Sequence, residues 1–351
     1  MWALKQKGNV GLIDVARLAG CAPATVSRRL NSPEKVSEDV IKSIDAAISQ
    51  LGYVRNASAR ALRANRSKLV GAVIPTLRHS IYAEMLAGLQ QTLANHGFAL
   101  IHTTSDYDID EEYRQVMTLV ERGVEAIVLV GTRHRSKTFT LLKEQNVNLV
   151  VTYAIESDFK LSSVGFDNRR AAELAADRLY ELGHRRFTML AGVTHNNDRA
   201  QLRVDGFVDR LKSKGVEATS IEIREAPYVI EEGRAAMEDV LAKHPDVTGV
   251  FCGSDILAVG ALRACRVRGL SVPEDISIIG FDNLEIAAFT EPPLSTLDVP
   301  AFGMGSETAN HIMLSDPKSP TVRKVELDVK LLDRGTTAIA PKPVSLPETP
   351  S

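Results

Sequence analysis

The sequence predicts a small all-helical head followed by two successive α/β lobes with parallel sheets. Three observations carry that prediction. Residues 1–68 hold 12 Lys and Arg against 5 Asp and Glu, while the remainder holds 30 against 39, so the formal charge of −2 hides a basic head on an acidic body. The head places its apolar residues at helical spacing. From Leu69 onward, short apolar runs alternate with amphipathic stretches and no hairpin signal intervenes, the pattern of a parallel sheet covered by helices on both faces. A chain of 351 residues fits two or three domains.

In the head, Ile13, Val15, Ala16, Leu18 and Ala19 give one apolar side to a helix of about two turns. Gly20 ends it in the manner of a left-handed terminator. Pro23 opens a second helix, where a proline loses no hydrogen bond. Val26 and Leu30 supply its inner face; Pro23, Ala24, Thr25, Ser27 and Arg28 supply the outer one. Two short helices around a glycine turn, the second presenting small polar residues and arginine, form a helix-turn-helix. Ser37 is placed to cap a third helix whose stripe is Val40, Ile41, Ile44, Ala47, Ile48 and Leu51, and Gly52 ends it. Next, Asn56 can cap a short alanine-rich segment through Arg63, too brief to hold a helix by itself.

These motifs in order, DVARLAG, ATVSR, LN, VS, LGY at Leu51–Tyr53 and N-x-x-A-R-x-L at Asn56–Leu62, resemble the head of the LacI-type family of bacterial transcriptional repressors. The resemblance implies that Pro23 and Ala24 stand at the main base-reading positions, where they can touch thymine methyls but make no bidentate bond. Arg28 can make one to guanine. Thr25, Ser27 and Asn31 look like phosphate contacts that fix register, and Tyr53 belongs to the same surface. Residues Asn56, Ala59 and Leu62 match a hinge helix, with Leu62 as the wedge in a central minor-groove step. Two departures stand out. Ala22 replaces a serine or threonine cap, and Arg29 occupies a position that is usually apolar, as a second phosphate contact or a solvated charge.

The body begins with LVGAVIP as a strand, a helical stripe through Ile81, Met85, Leu86, Leu89 and Leu93, and FALIHTT as a second strand. The alternation runs on through NLVVTYA, then restarts from AAELAADRLYELG. Two lobes of similar size, with SVPEDISIIGFDN and EPPLSTLDVP, resemble the type I periplasmic-binding-protein-like fold that the LacI family shares. The expected fold is therefore an all-α helix-turn-helix head with a hinge helix, then a two-lobed α/β domain. Boundaries follow at 9–55 for the head, 56–68 for hinge and linker, and 69–336 for the effector and dimerisation domain. Within it, the first lobe spans 69–166 and 295–323 and the second 167–294 and 324–336, with crossings near Phe166, Leu294 and Arg323. The proline-rich stretch 337–351 reads as a disordered tail.

A ligand in such a fold lies between the lobes at the carboxyl ends of strands. The resemblance makes Arg203, three before Gly206–Phe207, the effector-binding arginine and Asp282 its acidic partner for hydroxyls. Ser254 stands where asparagine is usual. Residues 78–82 after the first strand, Arg78 and Tyr82 foremost, Arg133, His134 and Arg135 after the third, and Thr152 at the end of the fourth complete the expected effector site, with Arg199 read equally as a cleft contact or a solvated charge. An arginine with a carboxylate clamps vicinal hydroxyls, while several cations favour a carboxylate or phosphate. A mono- or disaccharide is the first expectation and a sugar acid the second. The partners expected are a near-palindromic double-stranded operator and a second copy of the chain in a twofold dimer, since the tail lacks leucine heptads for a tetramer.

Cys21, Cys252 and Cys265 show no paired spacing, consistent with a reducing cytoplasm and neither a disulfide framework nor a zinc site. MWALKQKGN lacks the apolar core of an export signal and no run approaches membrane-spanning length, so a cytoplasmic location is expected. No cofactor is expected. Gly303-Met304-Gly305 neither follows a strand nor opens the full dinucleotide fingerprint. His184 reads as a structural cap at a helix end. With no nucleophile–base constellation evident, the chain reads as a non-enzyme. The alternatives are an α/β enzyme acting on a sugar with an accessory DNA-binding head, and a plain sugar-binding protein, which the basic head opposes.

Overall fold

The computed structural model describes residues 10–54, 66–315 and 322–342. The chain divides into two compact units, residues 1–67 and 68–351. The head contains α1 (Leu12–Leu18), α2 (Pro23–Asn31) and α3 (Glu38–Leu51). Gly20, at φ +65°, makes the turn between the first two. Val15, Ala16, Val26, Ile44 and Ala47 form the core, with Leu12, Ala19, Leu30, Ile48 and Tyr53 packed against it. In α1 the inner stripe is therefore Leu12, Val15, Ala16 and Ala19, the i, i+3, i+4, i+7 set. Ile13 and Leu18, expected on that stripe, lie off it and are 62% and 46% exposed. Pro23 takes the first position of α2, and Ala22 before it offers no side-chain cap. Ser37 precedes α3 without a capping bond, and Gly52 ends that helix at φ +62°. Arg29 is half-buried. Its guanidinium reaches Asp45 on α3 at 2.8 Å and ties two head helices together.

The second unit holds two six-stranded sheets of matching order. The first runs β11 (Lys324–Glu326), β5 (Ser162–Gly165), β4 (Asn148–Thr152), β3 (Ala126–Val130), β1 (Leu69–Ile74), β2 (Ala99–Thr104). All its pairings are parallel. The second runs β12 (Lys330–Leu332), β10 (Ser295–Asp298), β9 (Ser277–Asp282), β8 (Gly249–Cys252), β6 (Phe187–Gly192), β7 (Ile221–Ala226), and here β12 alone among the described strands is antiparallel to its neighbour. Strands β3 and β6 are buried at every residue, as parallel strands covered on both faces must be.

Helices α4 (Ser80–Asn95) and α12 (Ala301–Leu314) pack on each other beside the first sheet. Their backbones nearly touch. A Cβ at Gly88 would sit 2.1 Å from the Phe302 carbonyl oxygen, and one at Gly305 1.9 Å from that of Met85. Gly305 thus serves helix packing. Other helices that matter below are α5 (Ile109–Glu121), α6 (Ser136–Glu144), α7 (Asn168–Glu181), α8 (Asp198–Ser213), α9 (Ile230–Lys243) and α10 (Asp255–Val267).

Two expected crossings move. Strand β10 belongs to the second sheet, pairing Ser295 with Ile279, so the chain leaves that lobe after Asp298 and not near Leu294. Strand β11 still belongs to the first sheet, pairing Lys324 with Ser163, so the final crossing falls after Glu326 and not near Arg323. Residues 338–340, expected in the disordered tail, are bonded to the second lobe. The Ala338 N–H donates to the Ser277 hydroxyl, its carbonyl meets the His184 ring at 3.2 Å, and the Ala340 N–H donates to the Leu182 carbonyl. His184, fully buried and also bonded to Thr248, is the anchor of this strap and not merely a helix cap. No described helix is long and apolar enough to cross a membrane.

Candidate nucleic-acid interface and ligand cleft

On the head, Pro23, Ala24 and Arg28 are exposed on one face of α2, with Thr25 and Ser27 half-exposed beside them. Small residues around a free-standing guanidinium leave room for a duplex edge to approach. The Asn31 amide donates to the Ser27 carbonyl at 2.8 Å and hydroxyl at 3.3 Å, so part of its donor capacity holds the end of α2. Tyr53 sits half-buried against the head core. The expected hinge residues Asn56, Ala59 and Leu62 lie outside the described residues.

In the second unit, a cleft open at its mouth lies at the carboxyl ends of the strands of both sheets. The first lobe lines it with His79, Ile81, Tyr82, Tyr107, Tyr153 and Phe166; the second with Asn168, Asn197, Arg199, Arg203, Tyr228, Ser254, Phe281 and Asp282. Aromatic contacts organise the first wall. Tyr82 meets Tyr153 edge-on at 5.3 Å, the Tyr82 and Tyr107 hydroxyls are 3.4 Å apart, and the Tyr153 hydroxyl donates to the Ile81 carbonyl. Burial holds the Tyr107 and Tyr153 phenols well above their ordinary range.

Charge organises the second wall. Arg203 projects from α8, donates to the Asn168 side-chain oxygen at 2.7 Å and the Tyr228 hydroxyl at 2.9 Å, and lies over the Phe281 ring at 4.6 Å. Asp282 ends β9 at φ +107°, and Asn283 follows at φ +53°. Bonds from Asn283 to Asp298 and from Arg334 to Asn283 fix that turn. Burial, with the Asp255 charge adding to it, pushes the Asp282 carboxyl well above the carboxylate range, against the pull of Arg203 and Ser254. Asp255 is buried too. Burial raises it to about 7 although the Thr296 hydroxyl and Leu284 N–H donate to it. The Ser254 hydroxyl accepts the Ile256 N–H and donates to Asp282, so it caps α10 and steadies the acid.

The walls touch directly. Asp198 accepts the Thr132 N–H at 2.6 Å and its hydroxyl at 2.9 Å, while Arg199 donates to the Val130 carbonyl and to Asp198. Burial works against the charged form of Arg199, but the adjacent Asp198 charge outweighs it and holds the guanidinium pKa above its ordinary value. Gly131 makes this clasp feasible: a Cβ there would fall 1.9 Å from an Arg199 nitrogen. Nearer the mouth, the His79 ring meets the Tyr228 carbonyl at 3.1 Å.

Of the expected effector residues, Tyr82, Arg203, Ser254 and Asp282 line the cleft, as do His79 and Ile81 of the expected stretch 78–82, while Arg78, Arg133, His134, Arg135 and Thr152 do not. Arg78 points to solvent and its neighbour His79 takes the wall position. Arg133 is exposed. His134 is turned inward between Glu112 and the Gly131 carbonyl, where it braces the loop carrying the clasp. Thr152 is buried in the sheet, donating to the Leu129 carbonyl. Sequence reasoning missed Tyr107, Tyr153, Asn168, Asn197 and Tyr228, while Arg199, read equally as a cleft contact or a solvated charge, lines the cleft; the adjacent Asp198–Arg199 pair at a helix start is the signal that marks a structured charge.

A helix-turn-helix head followed by a two-lobed α/β domain defines a class of DNA-binding regulators. Residues 11–56 match the model for bacterial regulatory proteins of the lacI family, and residues 176–337 match the periplasmic binding protein-like domain. The chain is 31% identical to the HTH-type transcriptional repressor CytR of Escherichia coli (strain K12), over 97% of this chain and 100% of that one. Among solved structures, a lac repressor dimer bound to operator and the anti-inducer ONPF shares the fold, with a TM-score of 0.84 at 24% identity over 94% of this chain and 100% of that one. The transcriptional regulator CelR in complex with cellobiose matches at 28% identity and a TM-score of 0.68, over 93% and 99%. The protein belongs to the LacI family and is a DNA-binding transcriptional repressor.

Proposed function

We propose that operator binding by this repressor is set by a sugar or sugar-acid effector held between the two lobes. The observation that carries the reading is the cleft itself: aromatic faces on one wall, Arg203, Asn168, Ser254 and Asp282 on the other, and bonds between the walls. Aromatic rings suit the apolar faces of a sugar, and fixed polar groups suit its hydroxyls. The complex of CelR with cellobiose supports a sugar for this fold.

The protein acts in the cytoplasm as a homodimer on a near-palindromic operator, a reading supported by the dimeric, operator-bound lac repressor. Arg28 reads guanine from α2, Pro23 and Ala24 allow close approach, and Thr25, Ser27, Asn31 and Tyr53 set register on the backbone. The stretch containing Asn56, Ala59 and Leu62 forms the hinge, with Leu62 as a minor-groove wedge. Ligand changes the relation of the lobes and so the hinge, by no more than its difference in affinity for the two states.

The test is operator binding at fixed salt with and without candidate effectors. A ligand-dependent change is expected; identical affinity with the cleft filled and empty refutes the reading. Arg28→Ala is expected to lose roughly 1–3 kcal/mol on the cognate sequence and little elsewhere, and uniform loss on all sequences reduces Arg28 to a backbone contact.

A further inference from the structure

The DNA-reading helix is thinly supported. α2 is nine residues long, too short to hold its own shape, and Ala22 gives it no side-chain cap. Val26 is its one fully buried side chain. A helix resting on a single enclosed residue has little to resist rolling about its axis. The hydrogen bonds that its outer face makes to base edges tolerate only a narrow range of distance and angle. Discrimination between sequences therefore depends on whatever fixes that roll.

Arg29 is placed to fix it. At about 100° per residue, Arg28 lies about 160° around the helix from Val26 and Arg29 about 60°, so the first faces outward and the second leans towards the head core. The Arg29 guanidinium donates to Asp45 on α3 at 2.8 Å, with the arginine side chain 27% exposed and the carboxylate 48%. The Arg29 Nε–H is enclosed without a hydrogen-bond partner. One edge of the group is thus packed against protein while the other holds Asp45, and a DNA phosphate could recruit it only by breaking the pair. Asp45 follows Ile44, which is fully buried in the head core, so the carboxylate is mounted on a fixed turn of α3.

We infer that Arg29 and Asp45 form a positioning pair that sets the roll of α2 and so aims Arg28 at its base, with no phosphate contact from Arg29. This rests on the proposed reading role of Arg28. A half-exposed pair contributes little to folding stability, so its effect is expected in the discrimination between sequences.

The test is full-chain binding, across a salt series, to a duplex enriched from a randomised library and to a random-sequence duplex of equal length. Arg29→Met keeps the aliphatic stem and removes the charge. It is expected to lower the ratio of enriched to random affinity on the order of tenfold, a few-fold from each of two heads. Asp45→Asn, nearly isosteric, changes the net charge in the opposite direction and is expected to lower the same ratio by a similar factor; it serves alone should Arg29→Met not fold. The double variant is expected to lose no more than either single one. Arg29→Lys, which keeps a charge for Asp45 without the planar fork, is expected to lose less than Arg29→Met.

A phosphate contact gives a different pattern. Asp45→Asn then tightens binding to both duplexes, and Arg29→Met weakens both alike while flattening the salt slope by about one per head. Either result overturns the pair, as does a fall in ratio in one variant only. Simple destabilisation of the head scales both affinities together and leaves the ratio unchanged, which also overturns it. Arg28→Ala, run alongside, separates the layers. If it lowers the ratio and the pair variants do not, this inference alone falls; if it too leaves the ratio intact, the reading role of Arg28 falls with it.

Discussion

The two walls of the cleft are built from lobes of matching strand order, yet they carry different chemistry. The first presents rings and phenols, held by one another and by backbone carbonyls. The second presents two arginines and an acid on α8 and at the end of β9. Ring packing tolerates small errors in geometry, whereas a buried guanidinium needs its partners within hydrogen-bond reach. The contrast assigns shape to the first wall and charge to the second, with Gly131 and the Asp198–Arg199 pair fastening one to the other.

The largest test of that contrast removes the fastening charge. Arg199→Met leaves Asp198 buried without its cation and is expected to cost about 3–5 kcal/mol in urea unfolding. Next comes Gly131→Ala, which forces the added methyl into the clasp at φ +86°. The backbone conformation contributes about 1–2 kcal/mol of loss, and the displaced guanidinium adds to it. In an Arg199→Met background the guanidinium part is removed while the Asp198 carboxylate, 2.5 Å from the added methyl, still resists it, so a double-mutant cycle should show partial coupling; strict additivity would mean that Gly131 and Arg199 do not meet.

A pH series reaches the second lobe from behind its cleft. Burial holds the His184 ring down at about 4, below its ordinary 6.5, with the Arg185 charge acting the same way and the Ala338 carbonyl opposing. Between those values the unfolded chain binds the extra proton, so this group's contribution is complete above pH 6.5 and lost as pH falls toward 4. Asp255, raised to about 7, has the opposite sign: its contribution is complete below its unfolded value and lost as pH rises through 7. His184→Gln is therefore expected to lower stability at pH 7 and to flatten the fall in melting temperature between pH 6.5 and 4. An unchanged acid slope would show that the strap does not depend on a neutral ring. The smallest effect is expected from the ring wall. Tyr82→Phe removes one long hydroxyl contact and should cost less than about 1 kcal/mol in the same unfolding assay.

How far these features were legible follows from what each residue's role depends on. Pro23, Gly20 and the spacing of Val15, Ala16 and Val26 act within a turn or two of chain, so the head is readable locally. Alternating strands and helices likewise announce the two lobes. Arg203 and Asp282 are found through family motifs, GF inside α8 and GFDN at the end of β9. Tyr107 and Tyr153 are not, because an aromatic after an apolar run looks like core until a positive φ at the strand end turns it toward the cleft. Arg133 and His134 follow the right strand, but the chain turns there so that Thr132 and Gly131 face the partner lobe. The crossings were misplaced because β10 and β11 are short strands whose sheet is decided by distant neighbours, Ile279 and Ser163.

The threading of those last strands has a bearing on biosynthesis. The first sheet receives its outermost strand from residues 324–326, roughly 160 positions after β5, and the second is closed by residues 330–332. At ribosomal speed that interval lasts on the order of ten seconds or more. Throughout it, the growing polypeptide carries an unfinished first sheet with the flank of β5 uncovered, a state that chaperones or rapid burial of the remaining helices must shield from neighbouring nascent chains.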